Sequence, residues 1–228
     1  MFGSLGAYII YIVLLMAIPL WAQSKVKNTY KKYSKKATSS SMTGADVARK
    51  ILNDNGIYDV NVEETKGTLT DHYDPKKKVV RLSSDNFHGQ SMASSAIAAH
   101  EVGHAIQDAE EYAFLKFRSA LVPAASSGSN ISFFLIIAGL IFGVSELFLL
   151  GIIFMSAAVL FQLVTLPVEF DASNRAMGQL VSTGIIRNNE ERPTKKVLNA
   201  AALTYVAAAL VAVLELGRFI MMYLVSNE

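Results

Sequence analysis

Residues 147–173 read LFLLGIIFMSAAVLFQLVTLPVEFDAS, and the fold turns on how this stretch is interpreted. Leu147–Val168 is apolar and uncharged, long enough to cross a bilayer, which takes about 20 residues. Pro167-Val168-Glu169-Phe170-Asp171-Ala172-Ser173 then returns the chain to polar surroundings with two carboxylates. Upstream, Ile131–Val144 is a second apolar stretch, and uncharged Ser119–Asn130 extends it to spanning length. The two read as a transmembrane hairpin whose short external turn is Gly143-Val144-Ser145-Glu146. A hairpin brings Glu169 back to the side of the membrane from which it departed.

On that side lies His100-Glu101-Val102-Gly103-His104, inside the helical run Ser91–Ala109. Histidines four apart stack on one helix face, so both imidazoles can reach one metal ion. The glutamate between them suits a base that takes a proton from a water held by that ion. Ordinary residue frequencies allow this pattern by chance, so a third ligand has to be found. Glu169 is the leading candidate and Asp171 the competitor. Two residues apart on a helix (Glu169–Val181 by its pattern), they point about 200° apart and would not ligate together. The plainer role for Glu169 is to stabilise a helix N-terminus.

The rest of the chain supports a membrane setting. Of its 228 residues 52% are hydrophobic, and the excess is concentrated in blocks. There is no cysteine, which excludes a disulfide framework and leaves histidine and carboxylate to hold any zinc. Phe2–Ala22 is a further apolar run, with Lys25, Lys27, Lys31, Lys32, Lys35 and Lys36 after it rather than before it. That order predicts a retained anchor, with the lysines against anionic headgroups on the cytoplasmic side. Thr43 and Asp46 have capping-box spacing and open a helix over Gly44–Asn55. Val60–Glu64, Thr68–Tyr73 and Lys78–Leu82 alternate like half-buried strands, with a turn at Asp74-Pro75. Asn199–Leu224 is a last apolar helix, interrupted by Glu215 and Arg218, whose spacing suits an ion pair. Fifteen Lys and Arg residues lie between Lys25 and Arg118, and Arg175, Arg187, Arg192, Lys195 and Lys196 precede the last span. The turn at Ser145-Glu146 has none, so the positive-inside rule puts the histidines in the cytoplasm. Basic residues here come without aromatic interleaving, which argues against a nucleic-acid partner.

His-Glu-Val-Gly-His-Ala-Ile-Gln, a membrane hairpin and Glu-Phe-Asp-Ala-Ser resemble the YugP-like family of bacterial membrane zinc metallopeptidases. The likeness extends over nearly the whole chain, including Leu69–Pro75 and Lys196–Ala202. More distantly the chain is similar to the HtpX and CAAX prenyl endopeptidase group. The resemblance implies that His100, His104 and Glu169 ligate zinc and that Glu101 is the general base. In the wider group an aspartate four residues after the ligand glutamate orients a zinc histidine. Here that position is Ser173, which leaves the orienting role open between Ser173 and Asp171.

His72 and His88 are the remaining histidines. Either could donate to a developing oxyanion, and either could be an ordinary surface residue. Asn174 and Arg175 could face the cleft or the solvent. The expected architecture is α-helical and membrane-embedded, with about four transmembrane helices and a small α+β zincin-like domain. Its parts would be a span at 2–22, a cytoplasmic metallopeptidase region at 23–117, the hairpin at 118–168, a cytoplasmic segment with the third ligand at 169–198, and a span at 199–225. The expected partners are the bilayer and a protein or peptide substrate, and the cofactor is zinc. The rival readings are a membrane scaffold with a structural zinc site and a zinc hydrolase of a small amide.

Overall fold

Nothing between the first apolar run and the lysines after it breaks a helix, and lysine is a good helix former. In the computed structural model, which describes residues 5–226, the two segments accordingly share one helix, α1 (Leu5–Tyr33). The expected first span therefore runs on past Ala22, and its residues 2–4 lie outside the described part. The elements that follow are α2 (Gly44–Asp54), β1 (Asn61–Thr65), β2 (His72–Asp74), β3 (Val79–Ser83), α3 (Ser84–Phe87) and α4 (Met92–Ala109). Three long helices complete the chain: α5 (Ala113–Phe142), α6 (Ser145–Ser182) and α7 (Asn188–Ser226). Four helices, α1, α5, α6 and α7, are long and apolar enough to cross a membrane.

The chain divides into two compact units. The described part of the first comprises residues 5–22, 116–167 and 204–226. In it Ile136 of α5 packs with Phe148 and Ile152 of α6, and Leu216, Phe219 and Tyr223 of α7 close over them. Large apolar side chains such as Ile10, Leu14 and Met16 of α1 are exposed, as expected of a surface whose solvent is lipid. The α5–α6 turn is as short as expected. Gly143 sits at φ +65°, a conformation glycine adopts at no steric cost, and α6 begins two residues later.

The second unit, residues 23–115 and 168–203, holds a three-stranded sheet in the order β1-β3-β2. β1 is parallel to β3, and β2 is antiparallel to it. Thr43 and Asp46 form the capping box at the start of α2, and Val47, Ile51 and Leu52 bury the face that their spacing defines. These pack with Val80 and Leu82 of β3 and with Ala96, Ala99 and Val102 of α4. Ala176 and Leu180 of α6 complete the core.

Two sequence expectations are corrected. The strand expected over Thr68–Tyr73 is confined to its C-terminal end and reaches Asp74. Gly67 (φ +105°) and Leu69 (φ +57°) take left-handed conformations that leave the extended region, and Thr70 Oγ1 donates to Lys66 O to close the loop. The helix expected to begin at Glu169 instead continues without interruption from the apolar run, through Pro167. Proline forfeits one backbone hydrogen bond, a loss that membrane helices tolerate.

Candidate metal centre

α4 is capped by Ser91, whose hydroxyl accepts the Ser94 N–H, and it packs against α2, β2 and β3. Small residues on its buried face, Ala96, Ala99 and Gly103, let neighbouring backbone come close. Gly103 is the tightest of these contacts in the site. A Cβ there would meet Ala172 O of α6 at 2.6 Å, so a glycine inside the motif sets how near Glu169 can approach the histidines.

The approach is close. Glu169 Oε2 lies 3.2 Å from His100 Nε2 and 3.6 Å from His104 Nε2. One ligand atom from each of the three residues lies within 4.8 Å of the other two. Glu169 is 2% exposed, and the His100 side chain keeps 12%. Four-coordinate zinc with bonds near 2.05 Å holds its ligand atoms about 3.3 Å apart. The two Glu169–histidine separations bracket that value, so the trio suits the ion in donor type and Glu169 suits it in spacing to each histidine.

The far side of each imidazole is also held. Ser173 Oγ lies 3.2 Å from His100 Nδ1. Gln107 Oε1 lies 3.0 Å from His104 Nδ1. The Gln107 amide nitrogen donates to Val168 O and to Asp171 Oδ2, both at 2.8 Å. An amide nitrogen cannot accept, so these two bonds fix which end of Gln107 faces the histidine. In its neutral form His104 then carries its proton on Nδ1 and presents the Nε2 lone pair to the site. Asp171 in turn accepts from Arg175, which also bonds Glu110 at 2.6 Å.

Burial pushes the Glu101 carboxyl up from its ordinary pKa. Among the described residues no hydrogen-bond partner holds it. Burial also works against a charged His104, but the Glu169 carboxylate outweighs it and raises the imidazole pKa. Glu169 is buried too, yet hydrogen bonds from both histidines hold it well below the carboxylate range.

A family profile described as "Putative neutral zinc metallopeptidase" matches residues 8–224. The chain belongs to this family. It is also 52% identical over 217 residues to a protein of Bacillus subtilis (strain 168) named "Putative membrane protease YugP", an alignment covering 95% of this chain and 96% of the relative. No solved structure matches. The chain is thus a zinc protease by family, with zinc as cofactor and His100, His104 and Glu169 as a group that could bind it. Its four long apolar helices and its relative's name mark a membrane protein.

Asp171 and Ser173 are both beside the trio, each serving a different histidine. Ser173 contacts His100 directly, and Asp171 reaches His104 only through Gln107. His72 is exposed on β2, with Nδ1 2.8 Å from Thr70 O and Nε2 3.4 Å from an Arg81 nitrogen. His88 is exposed and 3.2 Å from Glu64. Neither is in the metal-binding group. Arg175 belongs to the network behind His104, while Asn174 is exposed. Gln107 is the residue that sequence reasoning passed over. The available signal was its position three residues after His104, on the same helix face.

Proposed function

We propose that this family member is an integral membrane endopeptidase with a zincin-like site, in which His100, His104 and Glu169 hold zinc and Glu101 is the general base. Bound there, zinc supplies Lewis acidity, which acidifies water and polarises a carbonyl oxygen. Glu101 takes a proton from the attacking water as its oxygen bonds to the scissile carbonyl carbon. It then returns that proton to the amine nitrogen as the carbon–nitrogen bond breaks. Gln107 and Ser173 keep the imidazoles oriented through both steps.

The observation that carries this reading is the convergence of two α4 histidines and one α6 glutamate at zinc-ligand spacing. A buried Glu101 with no structural partner argues against a purely structural zinc site, which has no use for it. β2 lies at one edge of the sheet, and an extended peptide can pair with such an edge. We place the site in the cytoplasm, because the polar segments that carry it also carry the basic residues.

Glu101→Gln tests the mechanism, with zinc content and casein cleavage measured on the same preparation. Zinc should be retained while turnover falls by about 10²–10⁴, the usual contribution of a positioned acid–base group. Full activity in that variant would refute the mechanism.

A further inference from the structure

Within the first unit, α5, α6 and α7 line a groove of about 640 Å³. Its walls are largely apolar, and its polar lining includes Ser132, Gln162, Glu215 and Arg218. The charged pair is fully engaged. Arg218 donates to both Glu215 oxygens, at 2.7 and 3.2 Å, and the Tyr11 hydroxyl donates to Glu215 at 2.8 Å.

Ser132 and Gln162 are different. Ser132 is 4% exposed, and among the described residues neither side chain has a hydrogen-bond partner. By contrast, two hydroxyls in the apolar part of α6 are satisfied on their own helix, Ser156 on Ile152 O and Thr165 on Phe161 O. Gln162 lies six residues before Val168, about 9 Å inside the end of the apolar run. An amide left unmatched at that depth is costly, because hydrocarbon offers no partner.

The chemistry of an occupant follows. A lipid chain would satisfy neither group. A charged ligand gains nothing from a groove whose own charges already cancel. A polar, uncharged side chain can donate and accept at once, matching the Gln162 amide and the Ser132 hydroxyl. Membrane helices associate through such bonds.

We propose that this groove docks a second membrane-spanning helix through a polar, uncharged side chain bonded to Gln162 and Ser132, and that the helix belongs to a substrate. The inference rests on the peptidase reading only in calling that helix part of a substrate. The substrate class is then membrane proteins with a polar residue within a span.

The test uses the full chain in lipid vesicles, carrying Glu101→Gln so that a bound probe is not cut. Two synthetic spanning helices of leucine and alanine serve as probes, one with a central asparagine and one with leucine there. Energy transfer between labelled protein and probe reads association. The asparagine probe should bind about three- to twenty-fold more tightly, and Gln162→Leu or Ser132→Ala should remove most of that preference. Zinc content equal to the parent's reports that the variants are folded. Equal binding of the two probes overturns the proposal, as does a preference unchanged in both variants. Transfer between labelled copies of the chain that Gln162→Leu abolishes and the asparagine probe does not reduce would assign the groove to self-association, overturning it too. The casein result for Glu101→Gln stands apart from all of these outcomes, so the docking and peptidase readings can fail separately.

Discussion

At the scale of single residues, Gly103 and Gln107 set the geometry that the ligands need. A methyl group at position 103 has 2.6 Å to the Ala172 carbonyl, less than van der Waals contact, so α4 and α6 must separate to admit it. Gly103→Ala should lower stability by about 1–3 kcal/mol, the usual effect of overpacking. It should also weaken zinc binding, because Glu169 moves away with α6; chelator competition alongside thermal unfolding measures both. Gln107→Leu leaves the His104 Nδ1–H without its partner and Asp171 with Arg175 alone. Its zinc affinity should fall about 10- to 100-fold, the range for loss of a group that orients a ligand. Gln107→Glu should not rescue it, since a carboxylate cannot donate to Val168 O and would face Asp171. Affinity in Gln107→Leu equal to the parent's would remove Gln107 from the site.

Among the elements, the segment between α1 and α2 is anchored by one carboxylate at the start of α7. Glu190 accepts the Ser39 N–H and hydroxyl and the Arg187 N–H, each at 2.8 Å. Burial works against its ionised form, but these bonds outweigh burial and hold its pKa below the ordinary carboxylate value. A pKa lowered by folding means that the stabilisation is complete above the unfolded-state pKa and is lost as pH falls through the folded-state one. Glu190→Gln should therefore be less stable than the parent at neutral pH, and the difference should shrink on acidification. Denaturant unfolding at a series of pH values checks the sign; a gap that widens toward acid contradicts it. Capping at α2 was readable from Thr43 and Asp46 because both partners lie within one turn. The Glu190 clamp was not, because Ser39 and Glu190 are 151 residues apart.

For the whole molecule, the prediction concerns sidedness. The chain has no cysteine, so one introduced thiol is the only one to label. Val144→Cys, in the α5–α6 turn, should react with a membrane-impermeant maleimide on intact cells. Lys77→Cys, at an exposed turn beside β2, should react only after lysis. The reverse pattern would put the site outside the cytoplasm.

The sequence alone determined the elements whose cause is local: four apolar helices, the α5–α6 turn, the capping box and the pairing of His100 with His104. Hydrophobic run length and helical periodicity act within a few turns of chain, so both are visible without a fold. The hairpin reading also returned Glu169 to the side of the histidines, since the span between them is itself a local feature. What it left open, the tertiary structure narrows: Glu169 rather than Asp171 lies against both histidines, and Ser173 rather than Asp171 contacts His100. An uninterrupted α6 places Glu169 and Ser173 on one face and turns Asp171 toward Gln107. Only packing of α4 on α6 at Gly103 sets the separations of 3.2 and 3.6 Å. Those distances depend on where two backbones meet, and that is a property of the packed core rather than of either segment.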